Sequence, residues 1–438
     1  MSARPFRAAR RSSTPLRTTR NRAASALLLS LWTTAVHADP LSLDTALRLA
    51  EVRSRQLAAQ DASAAAARQM AVAAGQRPDP VLKAGVNNLP IDGPDRFSLT
   101  RDFMTDRSVS VMQEFTRRGK LEARSARFER EAEVARANRE LALANLQRDT
   151  AIAWLDRLYQ ERMRQVLVSQ RDETRLQIEG ADAVYRGGLG TQADLFVARS
   201  AVGRIDDRIA QADRQIATAK TQLARWVGAE AAEDLGPAPA LETVRLRAED
   251  LETRLAHHPQ IEVMLRQEAV AQAQAEVART NREADFSVEL MYSQRGPAYS
   301  NMVSVNLSVP LQWDRKNRQD RELAARLAEV EQLRAEREEA TRVYVAEALA
   351  MLQEWHSNRE RLVRYDTSLL PLAGERTRAA IAAYRGGAAA LPAVLEARRA
   401  EIDTRIERLS LEMEAARVWA RLEYLLPVGP HALPAARP

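Results

Sequence analysis

The stretch Asp285–Trp313 decides how the chain folds. It reads DFSVELMYSQ from 285 to 294, RGPAY from 295 to 299 and NMVSVNLSVP from 301 to 310. Phe286, Val288, Leu290 and Tyr292 fall on one face of an extended segment, and Ser287, Glu289, Met291 and Ser293 on the other. Beyond the turn, Val303, Val305, Leu307 and Val309 alternate with Met302, Ser304, Asn306 and Ser308. Side chains of a strand point alternately to its two faces, so this pattern predicts two strands, with Gly296-Pro297 marking the turn. Alternation alone would fit any sheet with one wet face. The flanks decide, because long helical sequence enters and leaves this hairpin with no other partner strands nearby, and a lone hairpin is marginal in water. Strands of about 9–11 residues, apolar on one side and polar on the other, fit the wall of a transmembrane barrel.

Composition agrees with long helices around that hairpin. The chain has 438 residues, 45% apolar and 28% charged, with 16 Gly and 5% aromatics, which is typical of helix-rich, coiled-coil-like proteins. No stretch reaches the ~18 apolar residues of a spanning helix. The formal charge of +6 misleads, because residues 1–38 hold seven Arg and no acid. Without them the chain carries 58 basic and 59 acidic side chains, a net charge of −1. The basic excess therefore gives no reason to expect a nucleic-acid partner.

Residues 1–38 have the form of a secretory signal peptide. An Arg-rich segment from Arg4 to Arg22 precedes a short apolar run, Ala23–Ala35, and Val36-His37-Ala38 offers a small-residue cleavage site before Asp39. There is no Cys, so neither a disulfide nor a lipid-modified N-terminal Cys is expected. A secreted, cysteine-free, helix-rich chain with barrel-type strands points to a Gram-negative envelope, after cleavage near Ala38.

The rest of the chain repeats one plan. Leu41–Arg77 reads as an Ala-rich helix ending at Pro78-Asp79-Pro80, and a first hairpin occupies 81–117. There Leu82, Ala84 and Val86 alternate with Lys83, Gly85 and Asn87, and the connection Leu89–Asp106 is rich in Pro, Gly and Asp, as exposed outer loops are. From Gly119 to Arg186 nothing breaks the helix, and 68 residues of helix would span ~100 Å. Gly187-Gly188 stops it; Thr191 or Asp194 can cap the next helix, whose heptad runs Leu195, Ala198, Val202, Ile205, Ile209, Ala212, Ile216, Ala219, Leu223. Gly228–Pro239 reads as a linker. The plan then restarts: helix Glu249–Arg282, hairpin 285–313, a long helix from Arg315 to Arg385, Gly386-Gly387, and a last helix to Leu426.

Local matches support the duplication. Ala183-Val-Tyr185-Arg186-Gly187-Gly188 corresponds to Ala382-Ala-Tyr384-Arg385-Gly386-Gly387, 199 positions on, and Val109-Ser110-Val111 to Val303-Ser304-Val305. The expected organisation is a signal peptide over 1–38, a first repeat over 39–228, a linker over 229–248, a second repeat over 249–427 and a tail over 428–438. Four strands per chain cannot close a barrel, and open sheet edges in lipid cost several kcal/mol per unpaired group. The chain must therefore oligomerise, as a dimer with eight strands or a trimer with twelve. Eight strands leave an interior filled by side chains, so a conducting pore favours twelve.

The duplication, the paired Tyr-Arg-Gly-Gly turns and the two hairpins resemble the TolC family of outer-membrane channels over essentially all of 40–427. The resemblance implies a mainly α fold with transmembrane β: a homotrimer whose twelve-stranded barrel crowns a long α-helical periplasmic tunnel. It also implies docking through a periplasmic adaptor (membrane fusion) protein onto an inner-membrane RND-type pump. Gly75-Gln76-Arg77-Pro78-Asp79-Pro80, Asn88-Leu89-Pro90, Met104-Thr105, Gln113-Glu114-Phe115 and Arg118-Gly119-Lys120 are similar to the branch paired with heavy-metal efflux pumps; Thr116 stands where that branch usually has Pro. The implied function is a passive exit duct for heavy-metal cations. A channel for drugs or for a type I secreted protein is the alternative, and a periplasmic coiled-coil scaffold would explain the heptads and leader but not the hairpins.

No catalytic, metal or cofactor constellation emerges from the residues. The five His are His37, His257, His258, His356 and His431; the adjacent pair 257–258 would point apart on a helix. The Met residues are scattered, and no Gly-x-Ser-x-Gly motif is present. The Tyr-Arg-Gly-Gly turns carry the site reading. A Gly pair allows positive φ and a reversal of one helix into the next, and Gly187 and Gly386, directly after the tip Arg, are where freedom from a Cβ is expected to matter. By resemblance, Tyr185, Arg186, Gly187, Gly188, Tyr384, Arg385, Gly386 and Gly387 form the adaptor-docking tip. The family often carries acids nine and twelve residues after the second tip Tyr; here those positions are Ala393 and Glu396, while Asp194 takes the first of them in repeat one. Asp194 and Glu396 are therefore the candidate acidic constriction.

Overall fold

The computed structural model describes residues 40–188, 191–247, 249, 253 and 257–429. The signal peptide, its cleavage near Ala38 and the residues of the tail beyond 429 lie outside them.

Two short helices open the first repeat. The single helix expected over Leu41–Arg77 is in fact α1 (Leu43–Arg53) and α2 (Arg55–Ala74). The break has a local cause: Ser54 adopts an extended backbone and its side chain accepts the Leu57 N–H at 3.3 Å, starting a new helix. Strands β1 (Val81–Asn87) and β2 (Asp106–Phe115) follow, then α3 (Arg118–Arg186), 69 residues without a proline. At 1.5 Å per residue α3 is ~100 Å long. Helix α4 (Gln192–Val227) buries Leu195, Ala198, Ile205, Ile209, Ala212, Ala219 and Leu223 of the expected heptad.

The second repeat has α5 (Pro259–Thr280), β3 (Phe286–Gln294), β4 (Met302–Ser308), α6 (Gln319–Arg364), α7 (Leu370–Arg385) and α8 (Leu391–Glu423). Here the long helix is not continuous. A π turn at Tyr365–Leu369 separates α6 from α7, just before Pro371, which has no N–H to give the helical ladder. The position 199 residues earlier is Asp172, inside the unbroken α3.

The four strands form one antiparallel sheet in the order β1-β2-β3-β4, so the two hairpins pair through β2 and β3. Register aligns the faces. Leu82, Val111, Leu290 and Val305 make one row across all four strands, and Ala84, Val109, Tyr292 and Val303 the next. The long side chains of this apolar face lie in the open: Leu290 is 56% and Val305 69% exposed. The opposite face is polar, and Glu289 there accepts from Ser110 Oγ at 2.6 Å and pairs with Lys83 Nζ at 3.2 Å. The sheet is inside out by the standards of a water-soluble protein.

The main apolar core gathers the middle of α3 with the C-terminal ends of α4 and α8. Trp154, Tyr159, Trp355 and Trp419 pack there with residues of α1 and α4. Residues 229–248, expected as a linker, run along this core and pack against it through a few apolar side chains, as far as they are described. Leu235, Leu241, Val244 and Leu246 pack into it, Arg157 donates to the carbonyls of Ala231 and Glu233 at 2.9 and 2.7 Å, and Trp419 Nε1 donates to Thr243 O at 2.9 Å. These side chains tie a largely exposed irregular strap to the core by bonding its backbone carbonyls.

Candidate functional site: the two glycine tips

Each long helix ends in the same way. Helix α3 stops at Gly187 (φ −76°, ψ 0°), whose N–H donates to Ala183 O at 3.0 Å, while Gly188 turns to φ +78° and donates to Tyr185 O at 3.0 Å. Helix α7 stops at Gly386 (φ −81°, ψ 0°), bonded to Ala382 O at 3.0 Å, and Gly387 turns to φ +73° and bonds Tyr384 O at 3.1 Å. Ala388 N–H then reaches back to Ala383 O at 2.8 Å. The expectation for Gly187 and Gly386 is therefore corrected. Both hold near-helical angles that any residue tolerates, and the left-handed position is the second glycine of each pair.

The two turns lie at one end of the molecule. Ala181 of α3, Ala198 of α4 and Leu391 and Leu395 of α8 form a small apolar cluster against which Tyr384 packs. The repeats are not equivalent here: Tyr384 is half-buried, whereas Tyr185 is 39% exposed. Arg186 is paired with Asp182 one turn back on α3, and Arg385 is exposed. The tips thus present short backbone loops, one open tyrosine and two arginines on a rigid helical end.

The two candidate acids have different surroundings. Asp194 is held at the N-cap of α4: Thr191 Oγ1 accepts the Asp194 N–H at 3.2 Å and donates to Asp194 Oδ2 at 2.7 Å. Its carboxylate is thus turned toward the start of α4. Glu396, 76% exposed at its side chain, pairs with Arg376 of α7 at 3.5 Å. It lines a groove of about 860 Å³ between α4 and α8, which Asp194 does not reach. Arg204, Arg208, Arg398 and Arg399 line that groove too, with Asp207 and Asp403, so its walls are not predominantly acidic. Sequence reasoning missed Arg376 and the cross-helix pair Arg208–Asp403 (2.7 Å). Spacing along one helix carries no signal for a partner on another.

One member of the adjacent histidine pair is engaged as a helix cap. His258 caps α5, its Nδ1 accepting the Gln260 N–H at 3.2 Å, and its ring stacks on Tyr344 with centroids 4.7 Å apart. Burial pushes its pKa down to about 4. Among the described residues no group of three His, Asp or Glu could hold a metal ion.

No protein-family model matches the chain, and no curated protein matches it. Solved structures do. The outer-membrane channel OprN is similar with a TM-score of 0.73 at 17% identity, over 88% of this chain and 90% of that one. The outer-membrane protein VceC from Vibrio cholerae gives 0.71 at 18% identity, over 87% and 95%. CusC, described for conformational changes accompanying folding and transmembrane channel formation, gives 0.67 at 17%, over 87% and 91%. At such identities the likeness concerns the fold, and the fold is that of the TolC-like channels: a helical body carrying four barrel strands per chain.

Proposed function

We propose that the chain is one protomer of a trimeric outer-membrane duct that serves a tripartite efflux system. The observation that carries this reading is the sheet. Its apolar face is exposed across all four strands, its polar face holds a satisfied Lys83–Glu289 pair, and β1 and β4 each keep an edge unpaired among the described residues. Lipid outside, water inside and symmetry copies at both edges satisfy all three features at once.

In this reading the duct is passive and supplies no chemistry of its own. The helices carry the passage ~100 Å away from the bilayer, and the Gly-Gly tips receive the hairpins of a periplasmic adaptor linked to an inner-membrane RND-type pump. Asp194 and Glu396, near the starts of α4 and α8, would be tripled by threefold symmetry into an acidic mouth that concentrates cations. Arg376 offsets part of that field. The heavy-metal branch of the reading is supported by the sequence motifs around 75–80 and 113–120; drug efflux or type I secretion is the other occupant of the same architecture.

Planar-bilayer recording tests the mouth. Asp194→Asn with Glu396→Gln should lower cation selectivity and relieve block by added divalent metal ions, while Arg376→Gln should raise both. An unchanged reversal potential under a salt gradient in both variants would place these carboxylates outside the conducting path.

A further inference from the structure

Past Ser308 the chain leaves the sheet, yet the apolar alternation continues. Val309, Leu311 and Trp313 extend the row Val303, Val305, Leu307, and Trp313 is 88% exposed. Trp154, Trp355 and Trp419 are buried and Trp226 is half-buried, so Trp313 is the one fully open indole among the described residues. An indole is apolar over its face and a hydrogen-bond donor at one edge, and it favours a boundary between oil and water. Nearby, at the helix end of the sheet, Phe115 stacks on Phe286 at 5.1 Å and the Arg77 guanidinium lies 5.7 Å over the Phe115 ring.

The turn that follows, residues 313–318, is exposed throughout. Its neighbouring acids are already engaged. Asp314 accepts from Asn317 Nδ2 at 2.9 Å, and Asp320 is bridged by Arg282 at 2.8 Å and Arg315 at 3.7 Å. Lys316 and Arg318 have no ion-pair partner among the described residues. Two unneutralised cations thus sit within five residues of an open indole, where an apolar face of the protein ends.

We infer that Trp313, Lys316 and Arg318 form a docking surface for anionic phospholipid, with the indole at the acyl–headgroup boundary and the two cations on headgroup phosphates. Charge complementarity and continuity with the apolar face of the sheet select this occupant over a protein partner. The inference rests on the reading that this face meets lipid, and it adds a lipid preference that the reading alone does not require.

The test uses the full chain reconstituted into phosphatidylcholine vesicles, with and without phosphatidylglycerol, either lipid carrying brominated acyl chains. Brominated lipid should quench a fluorescence component that Trp313→Phe removes. Titration of brominated phosphatidylglycerol should give a relative affinity that falls by about tenfold or more in Lys316→Gln/Arg318→Gln, at roughly a fivefold loss per cation. Because the chain has no Cys, a dye on Leu290→Cys reports separately whether the sheet faces lipid. A quenched dye with an unquenched Trp313, or a lipid preference unchanged in the double variant, overturns the docking surface and leaves the barrel reading standing. A dye and an indole both untouched by brominated lipid overturn the barrel reading and the docking surface with it.

Discussion

Gly188 and Gly387 let each long helix fold back on its neighbour, because both hold left-handed φ values, +78° and +73°. A Cβ there costs roughly 1–2 kcal/mol per residue. Gly188→Ala with Gly387→Ala should therefore lower stability by about 2–4 kcal/mol and misdirect the tips, whereas Gly187→Ala with Gly386→Ala should be near neutral. Thermal unfolding of both double variants, followed by helical circular dichroism, checks the contrast; equal losses would contradict it. Sequence alone made the two Gly-Gly pairs legible as reversals. It could not tell which glycine turns, since both lack a Cβ and only the backbone separates them. His258 gives a second residue-scale prediction. Its pKa is pushed down to about 4 from 6.5 in the folded state, so between those values the unfolded chain binds the extra proton and stability rises with pH. Acidification from pH 7 toward 4 should cost up to about 3 kcal/mol from this site. His258→Asn, which keeps a capping oxygen, should flatten that part of the melting-temperature profile, and an unaltered slope would show that other groups govern it.

At the scale of elements, the strands were the most legible part of the sequence. Period-two alternation at 286–292 and 303–309 gave both strands and their facing, and the register places the apolar rows in line across four strands. Leu290→Arg should cost roughly 2–4 kcal/mol if it lies near the bilayer midplane and reduce folded protein in the outer membrane. Ser287→Arg, on the polar face, should be tolerated. Yields in isolated outer membranes measure both, and equal damage would refute the facing. Helices were legible where their period was regular and less so where one local group intervened: Ser54 splits the first, and Pro371 accompanies a π turn in the sixth. Residues 229–248 were illegible, because a strap held by Arg157 and Trp419 has no period of its own. Nor could the Arg376–Glu396 pair be foreseen, as its members lie on different helices.

The whole molecule poses one geometric problem. A four-stranded sheet with an exposed apolar face and two unpaired edges is stable neither in water nor, alone, in lipid. In the proposed trimer, twelve strands from three copies would close the sheet, leave a lumen and bring three pairs of tips together at the far end of the helices. The internal repeat makes this economical, since each copy already contributes two similar hairpins. Native mass spectrometry of the detergent-purified protein tests the claim directly. Three copies in one particle is the predicted result; a stable monomer that keeps its full strand signal would contradict it.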